Sequence, residues 1–299
     1  MKIVFFGTPD FAVPSLDILS NSIHKVTAVV TAPDKERGRG RKVSFTAVKE
    51  YAMQNKIEVL QPEKLKDEEF INRLEKLDAD LFVIVAFRIL PEKVFTLPKF
   101  GSFNLHGSLL PKYRGAAPIQ WAIINGDKET GLTTFFLQQK VDTGNIILQK
   151  IIGIDEEDNF GTLHDKMSSA GASLVIDSVN LIDTGNVKLI EQDNQSATAA
   201  PKITKETCLI DWNNTAKTIH NLVRGLSPFP GAYFIHADKS YKIYKTEITS
   251  WDDLEIGQFE QTKKELIVGC RGGALKILEI QPEGRKRMSA EQFVIGYSL

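Results

Sequence analysis

The stretch FNLHG carries an amide, Asn104, and an imidazole, His106, two positions apart, and KVDTG further along carries a carboxylate, Asp142. Residues two apart on a strand point to the same face. Asn104 and His106 would therefore project together from a strand end into one cleft. The Thr-Gly after Asp142 allows a tight turn that would bring its carboxylate back over that cleft. The three together offer an amide donor, a titratable donor and a proton acceptor. That set suits acyl transfer to an amine. Two donors stabilise the oxyanion that develops on the acyl group. A carboxylate near an imidazole favours its charged, donating form. The carboxylate also accepts the proton released by the attacking amine, directly or through water. No nucleophilic serine or cysteine is required. A turn-capping asparagine, a hydrogen-bonded structural histidine and an ordinary turn aspartate would leave the same spacing, so spacing alone leaves both readings open.

Such a set needs strand ends to hold it, and the first half of the chain supplies them. KIVFF, KVTAVVT, IEVLQP, LFVIVAF and GSFNLHG read as strands. PDFAVPSLDILSNS, TAVKEYAMQNK and DEEFINRLEKL read as the helices between them. LFVIVAF is nearly all apolar, as expected of a central parallel strand covered on both faces. The alternation predicts an α/β fold, a doubly wound, mostly parallel, Rossmann-like sheet. Ligands of such sheets bind at the carboxyl ends of the strands, where NLHG lies. Beyond it come a helix, IQWAIING, two strands, GLTTFFLQ and NIILQKIIGI, and a long helix, TLHDKMSSAGASLVIDSVNLID. We expect this first domain to span residues 1–189. Residues 190–204 are polar, small and contain proline, as a linker would. In residues 205–299 a short helix, NTAKTIHNLVRGL, precedes strand-like pieces AYFIH, YKIYKTEIT, ELIVGC and ALKILEIQP, which predict a small β-barrel of OB type. Phe229 and Tyr233, flanking Pro230 and Gly231, read as core anchors rather than stacking platforms.

The bulk properties exclude several classes. At 299 residues the chain is long for one core, and its net charge of -1 advertises no overall basic field. Cys208 and Cys270 have no partner at metal-ligand spacing, which fits a reducing compartment and no metal. The start, MKIVFFGTPDF, lacks the pattern of a signal peptide, and no long apolar run occurs, so a cytoplasmic protein without membrane partners is expected. The first strand-to-helix turn, FFGTPDF, has Gly7 alone where a dinucleotide fold needs three glycines, and no phosphate-binding loop is present. KERGRGRK, residues 35–42, is a basic, glycine-interleaved loop that could order on phosphates or lie solvated at the surface.

The segment FNLHGSLLPKYRGAAPIQWAIINGDKETGLTTFFLQQKVDTGNII closely resembles the 10-formyltetrahydrofolate-dependent formyltransferases: an Asn, a His two residues on, a Ser-Leu-Leu-Pro turn and a downstream Asp-x-Gly appear in that order. The resemblance implies that Asn104 and His106 hold the formyl oxygen and that Asp142 assists proton transfer. It implies a folate site at Ser108, Leu109, Leu110 and Pro111, with Phe87 and Ile89 beside the pterin, and 10-formyltetrahydrofolate as cosubstrate. The opening IVFFGTPDFAVPSLDIL, the basic insertion, and the C-terminal pieces ITKETCLIDWN, GLSPFPGAYF and LEIQPEGRKRMSAEQF are similar to the branch of the family that acts on methionyl-tRNA. That branch implies initiator methionyl-tRNA as partner in translation initiation and tRNA contacts from Arg37, Arg39, Arg41 and Lys42, of which Arg39 matches best; a monomer is expected. A formyltransferase for an amino sugar on a nucleotide is the alternative within the family. One departure stands out: Arg88 occupies a position where the family carries glycine.

Overall fold

The computed structural model describes residues 1–37, 42–250 and 254–299, which divide into two compact units. The first takes residues 1–115, 130–152 and 164–199, and the second takes 116–129, 153–163 and 200–299.

Seven strands form the sheet of the first unit: β1 (Lys2–Gly7), β2 (Lys25–Val30), β3 (Glu58–Leu60), β4 (Leu81–Val85), β5 (Ser102–His106), β6 (Glu129–Phe136) and β7 (Ile146–Gly153). Their order is β7-β6-β5-β4-β1-β2-β3. The pairs β3–β2, β2–β1, β1–β4 and β4–β5 are parallel, and β6 runs antiparallel to β5. The apolar run of β4 is buried at every position, as a strand covered on both faces must be. Helices α1 (Val13–Ser20), α2 (Ala47–Gln54) and α3 (Glu68–Lys76) lie in the crossovers, and α4 (Glu92–Phe95) precedes β5. Proline near the start of α1 and the Thr46 hydroxyl accepting the Lys49 N–H at 3.1 Å in α2 fix where these helices begin. Phe6, Phe82 and Ile84 pack with Phe70 and Leu74 of α3 in one core layer.

α5 (Pro118–Ile124) and α6 (Phe160–Asp183) follow β5 and β7. Gly171 of α6 lies so close to the sheet that an added Cβ would stand 2.7 Å from Leu105. One face of β5 is thus sealed by Leu105 beneath α6, and the other carries Asn104 and His106 at the strand's carboxyl end.

The second unit contains α5, α7 (Ala216–Gly225), α8 (Ala290–Gly296) and an antiparallel sheet. Its strands are β8 (Ala232–His236), β9 (Lys239–Thr249), β10 (Phe259–Gln261), β11 (Leu266–Cys270), β12 (Gly273–Pro282) and β13 (Met288–Ser289). The order is β8-β9-β12-β11-β10, with β13 on β12. The sheet curls until Phe234 of β8 and Phe259 of β10, strands at opposite ends of that order, stack with ring centroids 5.0 Å apart. Ile219 and Val223 of α7, Ile243, Ile277 and Phe293 fill the interior. β10 and α8 are not among the elements expected from the sequence. The start of α8 nonetheless carries a signal, a capping box between Ser289 and Gln292. Tyr233 packs against this core as expected, whereas Phe229 is 72% exposed and anchors nothing. No described helix is long and apolar enough to cross a membrane.

Candidate active site

Asn104 pairs with Ile84 of β4 and with Phe135 of β6, so it sits in register between two neighbours, while His106, the last residue of β5, pairs with Thr133 of β6 alone. The His106 Nε2 lies 2.8 Å from the carbonyl oxygen of Tyr113. A carbonyl only accepts, so Nε2 carries the proton and donates. That leaves Nδ1 facing the Asp142 carboxylate at 4.0 Å, with the two side chains only 7% and 11% exposed. At that separation the contact is electrostatic rather than a hydrogen bond. Nδ1 donates only when the ring is an imidazolium, for which Asp142 is the counter-charge.

Asp142 lies in the loop between β6 and β7 with its backbone in the left-handed region, φ 56°. Its Oδ2 accepts the Gly115 N–H at 2.9 Å. Thr143 donates to the Lys140 carbonyl at 2.8 Å and closes the turn. Gly144 is required by a close approach: a Cβ there would collide with the Phe136 carbonyl. Gln192, buried, completes the bracket. Its amide N–H group donates to the carbonyls of Asp142 at 3.1 Å and Gly144 at 2.7 Å, and its oxygen accepts from Arg114 at 2.6 Å. Gln192 and Arg114 were not found by reading the sequence.

A cavity lined by Asn104, Asp142, Phe87, Ile89 and Arg88 opens on this face. Among the described residues nothing hydrogen-bonds the Asn104 amide, which is free to meet a ligand. Arg88 turns its guanidinium away, to the carbonyls of Pro62 at 2.8 Å and Glu63 at 3.1 Å, while lying over the Phe87 ring. The left-handed backbone of this loop falls at Ala86, φ 49°, not at position 88, so an arginine there needs no glycine-like conformation.

The Ser108–Pro111 turn is held rather than open. The Ser108 hydroxyl donates to the Lys112 carbonyl at 2.5 Å, and Thr133 donates to the Ser108 carbonyl at 2.7 Å. The Leu110 N–H donates to Thr133 at 3.0 Å, Gln149 caps the Leu110 carbonyl at 2.9 Å, and Leu110 packs with Phe135 and Ile146. Ser108, Leu109, Leu110 and Pro111 are not among the residues lining the Asn104 cavity. Arg39 and Arg41 lie outside the described residues. Arg37 and Lys42 pair across a short antiparallel ribbon, Lys35–Arg37 against Lys42–Ser44. Asp34 accepts from Gln61 at 2.8 Å and from Lys49 at 2.5 Å, bonds that hold its carboxyl below the usual range.

Residues 1–179 match the family model for formyl transferases, and residues 202–298 match that for the formyl transferase C-terminal domain. The methionyl-tRNA formyltransferase of Caldanaerobacter subterraneus subsp. tengcongensis is 48% identical over 302 residues, covering 100% of this chain and 98% of its own. That of Azobacteroides pseudotrichonymphae is 48% identical, covering 99% of this chain and 95% of its own. An N-formyltransferase from Helicobacter canadensis, solved with folinic acid and dTDP-3-aminofucose, shares the fold with a TM-score of 0.69 at 24% identity, covering 96% of this chain and 100% of that one. By whole-length identity and by both family matches, this chain belongs to the formyl transferase family and, within it, to the methionyl-tRNA formyltransferases.

Proposed function

We propose that the chain transfers the formyl group of 10-formyltetrahydrofolate to the α-amine of methionine carried on initiator tRNA, with Asn104, His106 and Asp142 at the reacting atoms. The observation that carries this reading is the convergence at the end of β5. An uncommitted amide shares a cavity with a carboxylate, and that carboxylate stands 4.0 Å from an imidazole whose other nitrogen is already held. The amine attacks the formyl carbon. Asn104 and the imidazolium edge of His106 stabilise the oxyanion as it forms. Asp142 takes the amine's proton, directly or through water. The bond from the formyl carbon to the folate nitrogen then breaks, the nitrogen regains a proton, and tetrahydrofolate leaves. Phe87 and Ile89 give the apolar wall expected beside a pterin, and the Ser108–Pro111 turn, held by Thr133 of β6, is assigned to the folate. The basic segment 35–42, with Arg37, Arg39, Arg41 and Lys42, is assigned to tRNA phosphates, with Arg39 at the acceptor end.

The test is formyl transfer with methionyl initiator tRNA, methionyl elongator tRNA and an amino-sugar nucleotide as competing acceptors. Preferential formylation of the initiator tRNA is expected. Transfer to the sugar nucleotide alone would keep the three reacting side chains and overturn the assigned acceptor.

A further inference from the structure

The second unit holds a cavity of about 560 Å³, within the size range of ligand pockets. The rings of Phe229 and Tyr233 line it, one exposed and one half-buried. Its charged lining is Lys202, Lys205 and Lys242, and no carboxylate is among the described residues that line it. The display of Phe229 is built into the fold. Ahead of the ring, the Leu226 carbonyl accepts the Gly231 N–H at 2.8 Å and closes the loop. Behind it, Lys242 donates to the Pro230 carbonyl at 2.8 Å. Gly231 has φ +88°, and an added Cβ would stand 3.0 Å from the Tyr244 ring, so the turn that follows Phe229 is one that suits glycine. A large ring held 72% exposed on a pinned loop leaves its apolar face in water.

Apolar rings beside a lining that carries three lysines match one ligand chemistry well. A nucleotide presents a flat π face for the ring and a phosphate for the lysines. Lys242 spends one of its three protons on Pro230 and keeps two for an anion. Three lysines serve more than one phosphate, which favours a strand over a free mononucleotide. We propose that this cavity takes an unpaired nucleotide from the 3′ end of the tRNA, its base against Phe229 and its flanking phosphates facing Lys202, Lys205 and Lys242. The proposal rests on the reading of the acceptor as a tRNA and adds a contact that the formyl-transfer site does not provide.

Binding is measured with the full chain in a two-by-two cycle. Wild type and Phe229→Ala are each titrated with an initiator tRNA and with the same tRNA trimmed of its unpaired 3′ nucleotides. Either change alone should weaken binding by roughly five- to a hundred-fold, the range found for one stacked base. The two together should weaken it no further than one alone, because both remove the same contact. Phe229→Trp should retain the sensitivity to trimming, and Lys205→Gln should lower the salt slope of intact-tRNA binding by about one. Circular dichroism of Phe229→Ala should match wild type, since an exposed ring supports no packing. Losses that multiply, or wild-type affinity of Phe229→Ala for intact tRNA, would overturn the proposal. AMP binding abolished by Phe229→Ala without any effect on tRNA would assign the cavity to a free nucleotide and overturn it too. Formyl transfer by the wild type is assayed separately. Failure to formylate methionyl-tRNA removes the acceptor reading itself, whereas normal transfer with a multiplicative cycle removes only this pocket.

Discussion

Asp142 accepts the Gly115 N–H, faces the His106 ring and, in the proposed reaction, takes a proton. Asp142→Asn keeps its shape and removes its charge. Turnover should fall by about two to four orders of magnitude, the range for positioned acid–base groups, while tRNA affinity stays near wild type. Single-turnover formyl transfer and tRNA binding on one preparation check this, and near-normal turnover would remove the proton-transfer role. That Asn104 and His106 share one face of β5 was legible in the sequence, because spacing by two fixes that relation on a strand. Asp142 was legible only through the resemblance and its Thr-Gly turn. Gln192 was not legible at all. It lies 50 residues from Asp142, carries no periodicity, and sits in a polar stretch that reads as a linker. Its role comes wholly from tertiary geometry, as a single amide that ties the Asp142 loop to Arg114. Gln192→Leu should leave two carbonyls and a guanidinium short of partners, at about 1–3 kcal/mol for each buried group. The expected signature is a lower Tm together with a kcat at least about tenfold down, because a displaced carboxylate costs rate steeply. An unchanged kcat in a folded Gln192→Leu protein would show that Asp142 positions itself.

The loop from β6 to β7 shows how an element constrains a residue. Gly144 passes against the Phe136 carbonyl at the end of β6, where no Cβ fits. Gly144→Ala must push the turn outward and carry Asp142 with it. Loss of most activity is expected, along with a Tm several degrees lower, which differential scanning calorimetry and the transfer assay measure together. A variant as active as wild type would mean that the turn has slack that the packing does not suggest. The glycine was visible in the sequence, but its reason was not: the reading assigned it to turn conformation, and the structure assigns it to close approach. The same division runs through the fold. Strand and helix positions were legible because burial on both faces imposes unbroken apolar runs, as in β4, and because helices announce their starts, as Thr46 does for α2. Strand order was not legible, since nothing local says that β6 returns antiparallel beside β5. β10 is three residues long and gives no alternation to read. α8 does carry a capping box, so it was readable and was overlooked.

At the scale of the molecule, two quantities belong to the whole chain: its pH-dependent stability and its divisibility. His220, on α7, is held down at about 4 by burial, with the like charges of Arg224 and Lys217 adding to it. Unfolded, the imidazole titrates near its ordinary value of about 6.5. Between those values the unfolded chain binds a proton that the native chain refuses. The stability held above about pH 6.5 is therefore lost as pH falls toward 4, by at most about 3 kcal/mol. Urea midpoints across that range should fall in the wild type and flatten in His220→Asn, which keeps a partner for Thr246; equal slopes would exclude His220 as the source. Divisibility is the sharper question. The proposed domains, residues 1–189 and 205–299, follow the chain, whereas the compact units interleave: residues 116–129 and 153–163 group with 200–299. The reason is the packing of α5 on α7. A Cβ on Gly225 would stand 2.6 Å from Ile124 and 3.0 Å from the Gln120 carbonyl, so the two helices touch at a glycine. Ile119, Ala122 and Ile123 of α5 are buried in the intact chain. A fragment ending at residue 204 keeps α5 and loses α7, leaving the apolar face that α5 packs on α7 uncovered. Such a fragment should bind hydrophobic dyes, self-associate at micromolar concentration and melt well below the intact chain. Ile124→Lys, which makes that face polar, should reduce the association. A fragment that stays monomeric, dye-free and as stable as the full chain would mean that the first unit folds independently of α5's packing, and that the chain divides where its sequence does.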